Sequence, residues 1–341
     1  MDNSGTGWGH AGYGICSFEF VDTSVDDIAQ AVVPARLINA SAAARSAKIA
    51  TDKCRSDADS DEKILLKAAS RRLKLLDTPQ SLELASSKGG GSIPTFGLGT
   101  WLANDGECRE AVKYALQCGY RLIDTAQMYE NEEEVGQGVV ESGVLREDIF
   151  IVTKVNQLNH GERATRVSIE ESLAKLKTDY ADLVLIHTPA GGKLVETWCT
   201  LKRLRHEGKC RFIGVSNFGI EQIENLVEAT GDEYPAVNQV ELHPWLQQKE
   251  LRRYCDKHGI VIMGFCPLAR CKMFGSKDNR VVQDVAAAHG VQEADVCLRW
   301  ALQSGVLHKK KKKKKKKKNV ITLIASSLII DTVWSENFVH S

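Results

Sequence analysis

The chain has 341 residues, of which 43% are apolar and 26% charged, a composition that excludes a collagenous, wholly disordered or integral-membrane protein. The net charge of +1 conceals an unbroken run of ten lysines at 309–318, without which 35 basic residues stand against 44 acidic ones. A chain acidic outside one short segment has no general basic face, so specific nucleic-acid binding is not expected.

The ten cysteines include no Cys-x-x-Cys pair, which argues for reduced thiols in a cytoplasmic protein without a metal site. The first thirty residues hold five carboxylates and no Lys or Arg, unlike a signal or transit peptide. The most apolar stretch, Ile321–Ile330, is about half the roughly 20 residues of a membrane helix. No membrane span is expected.

Residues 1–80 read as an extension with one helix over 62–76, where Leu65, Leu66, Ala69, Leu73 and Leu76 keep helical spacing. Gly7-x-Gly9-x-x-Gly12 has no room for a preceding strand, so it is not read as a dinucleotide fingerprint. Ser86–Ser92, centred on three glycines, is a hairpin turn or joint. From there apolar, β-branched runs are expected as strands over Pro94–Thr100, Arg121–Ala126, Phe150–Val155, Asp182–His187, Arg211–Asn217, Ala236–Leu242 and Ile260–Leu268. Helical patterns such as Glu107–Cys118, Arg163–Lys177 and Gly192–Glu207 separate them. Asp124, Lys154, His187, Ser216, Gln239 and Cys266 recur at intervals of 30, 33, 29, 23 and 27, the size of one βαβ step. Such units fit a parallel (β/α)8 TIM barrel; a doubly wound sheet would carry a third glycine where Gly97-x-Gly99 runs on to Leu102.

In such a barrel the reaction site lies at the C-terminal ends of the strands. Asp124, Tyr129, Lys154 and His187 all fall there, in consecutive units. The group suits carbonyl reduction, which leaves negative charge on oxygen and needs donors already aimed at it. Tyr129 is the candidate proton donor; a Lys154 ammonium beside it would lower a phenol pKa of about 10. Asp124 would keep that ammonium charged, and His187 would orient the carbonyl. Taken singly, each residue reads as an ion pair or as packing; their shared placement makes the catalytic reading stronger.

The sequence strongly resembles the aldo-keto reductase family over residues 81–307. Matching stretches are Ile-Pro-x-x-Gly-Leu-Gly-Thr-Trp (93–101), Gly-Tyr-Arg-Leu-Ile-Asp-Thr-Ala-x-x-Tyr-x-Asn-Glu (119–132), Leu-Lys-Thr-Asp-Tyr-x-Asp-Leu-x-Leu-Ile-His (176–187), Ile-Gly-Val-Ser-Asn-Phe (213–218), Asn-Gln-Val-Glu-Leu-His-Pro (238–244) and Leu-Arg-Trp-Ala-Leu-Gln (298–303). The resemblance implies reduction of aldehydes and ketones with NADP(H), or NAD(H), bound across the barrel mouth, acting on a small-molecule carbonyl substrate; a monomer is expected, though nothing in the residues fixes it. It places the catalytic Asp, Tyr, Lys and His on Asp124, Tyr129, Lys154 and His187, and the carboxamide-binding group on Ser216, Asn217 and Gln239. Thr100 and Leu268 fall at cofactor positions, and Trp101 and Thr188 in the substrate pocket. Phe265 stands where the stacking aromatic is commonly Tyr, and Cys266 where the pyrophosphate loop has Ser. The short stretch Pro189–Gly192 resembles compact members acting on small carbonyls.

After Leu307 the resemblance stops at the lysine run, and 308–341 read as a low-complexity segment and a tail foreign to the family. Ten adjacent like charges cannot form a core strand. The expected consequences are an atypical or incomplete eighth βα unit, open edges on the first and seventh barrel strands, and a missing clamp for the cofactor 2′-phosphate.

Overall fold

The structure, a computed structural model, describes residues 81–84, 90–103, 106–231, 233–304 and 322–326. The helix expected over 62–76 and the lysine run lie outside them. The chain enters through an antiparallel hairpin, β1 (Ser81–Leu84) and β2 (Gly91–Pro94), paired Leu82 to Ile93 and Leu84 to Gly91. Gly91 and Ser92, expected in a hairpin turn or joint, pair within β2, and the connection at 85–89 lies outside the described residues. Its apolar face, Leu82, Leu84 and Ile93, packs with Leu122, Phe150, Leu183, Phe212 and Met263 and closes one end of the barrel. A Cβ on Gly91 would strike the Phe212 ring, so the hairpin seats only because that position lacks a side chain.

Eight parallel strands close into a barrel, β3 (Phe96–Gly99), β4 (Leu122–Asp124), β5 (Phe150–Val155), β6 (Ala181–Ile186), β7 (Cys210–Ser216), β8 (Val237–Glu241), β9 (Val261–Phe265) and β10 (Thr322–Ser326). β5 and β6 read Phe-Ile-Val-Thr-Lys-Val and Ala-Asp-Leu-Val-Leu-Ile and are buried throughout, as expected of parallel strands covered on both faces. The helices are α1 (Glu107–Gln117), α2 (Glu132–Glu141), α3 (Glu162–Lys175), α4 (Leu194–His206), α5 (Ile220–Thr230), α6 (Lys249–His258), α7 (Arg280–His289) and α8 (Glu293–Ser304). Their buried faces, among them Val112, Ile169, Trp198, Leu201, Ile223 and Trp300, form the layer outside the sheet. Each such aliphatic side chain stabilises the fold by about 1.5–3 kcal/mol. At the end opposite the site, buried Asp182 accepts from Arg146, Arg211 and the amide of Ile151, at 2.8, 2.8 and 2.9 Å.

Two expectations change. The predicted first strand over Pro94–Thr100 is divided by a bend at Thr95, so Pro94 belongs to the hairpin and only Phe96–Gly99 to the barrel. A proline has no amide for a ladder bond, which suits the hairpin edge better than a closed sheet. The expected open edges on the first and seventh barrel strands are absent as well. β10 lies beyond the lysine run and pairs with both, Leu323 to Phe96 and Gly264, and Ser326 to Gly99. The apolar run after residue 320 supplies the eighth strand although it follows the lysines rather than Leu307 directly.

Candidate active site

β4 delivers Asp124 to the mouth of the barrel, where the chain leaves the sheet through Thr125 and Ala126 into a one-turn 3₁₀ helix, Gln127–Tyr129. β5 delivers Lys154, whose side chain is fully buried. Its Nζ donates to Asp124 Oδ2 at 2.7 Å, to the Thr125 carbonyl at 2.9 Å and to Tyr129 OH at 3.0 Å. An ammonium has three protons, and each has a partner. His187 follows β6 and sets its ring edge-on to Tyr129, 5.8 Å between centroids at 81°. Lys154 thus joins Asp124 and Tyr129, with His187 beside the phenol ring; Tyr129 itself stands on the turn after β4 rather than at a strand end.

Burial pulls the Lys154 ammonium down, but Asp124 and Tyr129 more than compensate, and its pKa rises above the ordinary value. For Tyr129 the expected direction is reversed. Burial, the largest influence, pushes the phenol up; Lys154 pulls it down without prevailing, and Asp124 and Cys266 add to the rise. Removing a phenolate from water costs more than one ammonium returns at this depth, so the hydroxyl keeps its proton. Burial, aided by the Lys154 charge, lowers His187 to about 3. The imidazole is neutral near pH 7. Its Nδ1 is buried without a partner; the tautomer protonated on Nε2 leaves a bare acceptor there, which is less costly than an orphaned N–H.

Ser216, Asn217 and Gln239 meet at the ends of β7 and β8. Ser216 Oγ donates to the Gln239 carbonyl at 2.9 Å, and Asn217 Nδ2 donates to the His187 carbonyl at 3.0 Å and to Ser216 Oγ at 3.2 Å. Asn217 adopts a left-handed backbone, φ 61°, which Asn tolerates better than most residues. The Gln239 amide crosses the barrel to Asp124 Oδ1 at 2.7 Å and reaches Met263 Sδ at 2.8 Å. Met263 therefore faces inward, and alternation along β9 turns Phe265 to the same side nearer the mouth. A hydroxyl, two amides and a half-buried aromatic face fit a flat ring bearing a carboxamide.

The remaining expected residues are placed differently. Thr100 is buried and bonds the Asp124 carbonyl at 3.3 Å and Asn131 Oδ1 at 3.4 Å, so its hydroxyl ties β3 to β4. Leu268 packs into the core, which leaves only its backbone for a ligand. Thr188 caps the turn Pro189–Gly191 through the Ala190 amide at 3.3 Å. Trp101 lies under the Arg270 guanidinium, 4.7 Å from its ring centroid. Arg270 also hydrogen-bonds Cys266, joining the expected substrate side to the expected cofactor side.

Sequence reasoning assigned no role to Asn131 or Glu132. Asn131 donates to the carbonyls of Thr100 and Ala103 at 2.7 and 2.9 Å. Glu132, also buried, accepts from Thr153 Oγ1 at 2.6 Å and Ser172 Oγ at 3.1 Å. Together they pin the start of α2 to the strands on either side. Their spacing after Tyr129 was visible in the sequence, but their partners lie in other units.

A family model described as the aldo/keto reductase family matches residues 95–330. The chain belongs to the aldo/keto reductase family. It is an oxidoreductase, and the matched stretch runs past the lysine segment and includes β10. Among its relatives is a glyoxal reductase of Bacillus subtilis (strain 168), 46% identical over 219 residues, which are 64% of this chain and 78% of that protein. Another is a 9,11-endoperoxide prostaglandin H2 reductase of Trypanosoma cruzi (strain CL Brener), 43% identical over 216 residues, 63% of this chain and 76% of that protein. Among solved structures, an aldo/keto reductase from Brucella melitensis superposes with a TM-score of 0.65 at 34% identity, covering 77% of this chain and 94% of that one. A Bombyx mori aldo-keto reductase in complex with NADP gives 0.63 at 31%, covering 74% and 84%.

Proposed function

We propose that this aldo/keto reductase reduces small aldehydes and ketones to alcohols, with Tyr129 as the proton donor. The observation that carries the reading is the Lys154 ammonium bonded at once to the Asp124 carboxylate and the Tyr129 hydroxyl, at 2.7 and 3.0 Å. When bound, a reduced nicotinamide dinucleotide, NADP(H) as in the Bombyx mori complex, supplies the hydride. Ser216, Asn217 and Gln239 would hold its carboxamide, and Phe265 its ring face. Gln239 reaches the ligand only by loosening its bond to Asp124 or by offering its amide oxygen.

As charge develops on the carbonyl oxygen, Tyr129 gives up its proton, and the Lys154 ammonium stabilises the phenolate that remains. Asp124 keeps that ammonium in place through the cycle. His187, neutral and edge-on to the phenol, donates a second hydrogen bond to the same oxygen and sets the carbonyl's orientation. Trp101 and Thr188 border the space left for the rest of the substrate. All of these groups come from one chain, so a single copy suffices.

The test is turnover by the full chain with glyoxal as substrate, the compound in the name of the Bacillus subtilis relative. Carbonyl-dependent loss of reduced-nicotinamide absorbance is the expected result. Cofactor binding without turnover of glyoxal or any other short aldehyde or ketone would refute it, leaving a dinucleotide-binding module.

A further inference from the structure

Tyr129 sits on a turn that its own backbone scarcely holds. The 3₁₀ helix Gln127–Tyr129 has no side-chain cap at its start, and it is closed by Tyr129 N to Ala126 O at 3.0 Å and Glu130 N to Gln127 O at 3.2 Å. It ends at Glu130 with φ 58°, a left-handed conformation that a non-glycine residue adopts at a cost. A single 3₁₀ turn with poor hydrogen-bond geometry does not fix a side chain to catalytic tolerance.

The Gln127 carboxamide supplies what the turn lacks. Its Nε2 donates to the Ser168 carbonyl at 3.1 Å and to Ser172 Oγ at 3.2 Å. Its Oε1 accepts from the Asn156 amide and from Asn159 Nδ2, both at 2.9 Å. Both amide protons and both oxygen lone pairs are used. The partners lie on α3 and just beyond the end of β5, two residues after Lys154. One side chain therefore locks the turn bearing the phenol to the strand bearing the ammonium. We infer that Gln127 is a positioning residue for proton donation, holding Tyr129 OH 3.0 Å from Lys154 Nζ. The inference rests on the proton-donor reading of Tyr129.

Gln127 also borders a cavity of about 360 Å³ with Glu132, Asn156, Ser168 and Ser172. Water entering there can solvate the groups freed by substitution, so a Gln127 variant should fold. The partners leave Gln127 no part in binding cofactor or carbonyl.

The experiment compares Gln127→Leu and Gln127→Glu with the unaltered chain. Gln127→Leu should lower kcat about 10- to 100-fold, the scale of an ångström-sized misplacement, while KM for the carbonyl and the fluorescence-measured Kd of the cofactor change by less than about threefold. The deuterium isotope effect on kcat with 4-deuterated reduced cofactor should rise, and amide exchange in a peptide spanning 126–131 should quicken without cofactor present. Gln127→Glu keeps the two accepted bonds and should fall between; if the leucine variant does not fold, the glutamate variant carries the same kcat-against-KM split. In a Tyr129→Phe background, Gln127→Leu should cost nothing further, because it acts through the phenol. A kcat within about twofold of the unaltered chain in both Gln127 variants, or an equal loss with and without the Tyr129 hydroxyl, overturns the inference. A Tyr129→Phe chain at full activity would instead remove the proton-donor reading on which it stands.

Discussion

Replacing Lys154 by methionine keeps most of the side chain's volume and removes its charge, which isolates the electrostatic part of the site. Lys154 is fully buried and makes three hydrogen bonds. Without it, Asp124 stays buried with only the Gln239 amide on its carboxylate, while the Thr125 carbonyl and the Tyr129 hydroxyl lose a partner. Breaking a buried ion pair from one side costs about 3–5 kcal/mol. For a chain of this size that is a fall in Tm of about 10 °C. Burial is the largest influence on Asp124 and acts upward, and nothing cationic would then oppose it. The folded variant would bind a proton at Asp124 more tightly than the unfolded chain does. That contribution is full below the unfolded value of about 4 and is lost as pH rises, so the deficit should be larger at about pH 8 than at about pH 5. The assay is urea unfolding at both pH values, beside the double variant Asp124→Asn/Lys154→Met. Removing both charges should cost less than removing one. A single-variant loss under about 1 kcal/mol, or a double variant less stable than the single one, would refute the reasoning.

Two further predictions concern pH. With the Tyr129 pKa above the ordinary tyrosine range and His187 at about 3, kcat for reduction should be level from about pH 5 to about pH 9; a limb centred near pH 6.5 in the rate profile would contradict the neutral imidazole. His187 binds its proton at about 3 when folded and near 6.5 when unfolded. Its contribution is present above the unfolded value and is lost as pH falls through the window between them, by roughly 4 kcal/mol for a ring partly open to solvent. The His187→Gln variant should lack that part of the acid destabilisation, and parallel stability curves for the two chains would count against it.

The ends of the strands were legible in the sequence because apolar runs stop at polar residues. Asp124, Lys154, His187 and Ser216 therefore fall within one residue of where the structure ends β4 to β7. What was not legible depends on side chains meeting across units. Gln239 reaches Asp124 from 115 residues away, a matter of rotamer and barrel diameter that no local pattern encodes. The Tyr129 pKa moves opposite to the expected direction for a related reason, since a neighbouring charge can be inferred from strand order but depth of burial cannot. Gln127 carries no local signal in the sequence, because its four partners come from β5's exit and α3. The eighth strand was harder to place, because the ten lysines interrupt the repeat of βα units ahead of the β-rich stretch that forms it.

The Tyr129 hydroxyl is the atom on which the mechanism turns, and Tyr129→Phe removes it while retaining the ring that faces His187. Steady-state carbonyl reduction measured beside cofactor titration by fluorescence quenching tests it most directly. The expected result is loss of nearly all turnover with cofactor affinity unchanged within about threefold. Undiminished turnover by Tyr129→Phe would contradict it.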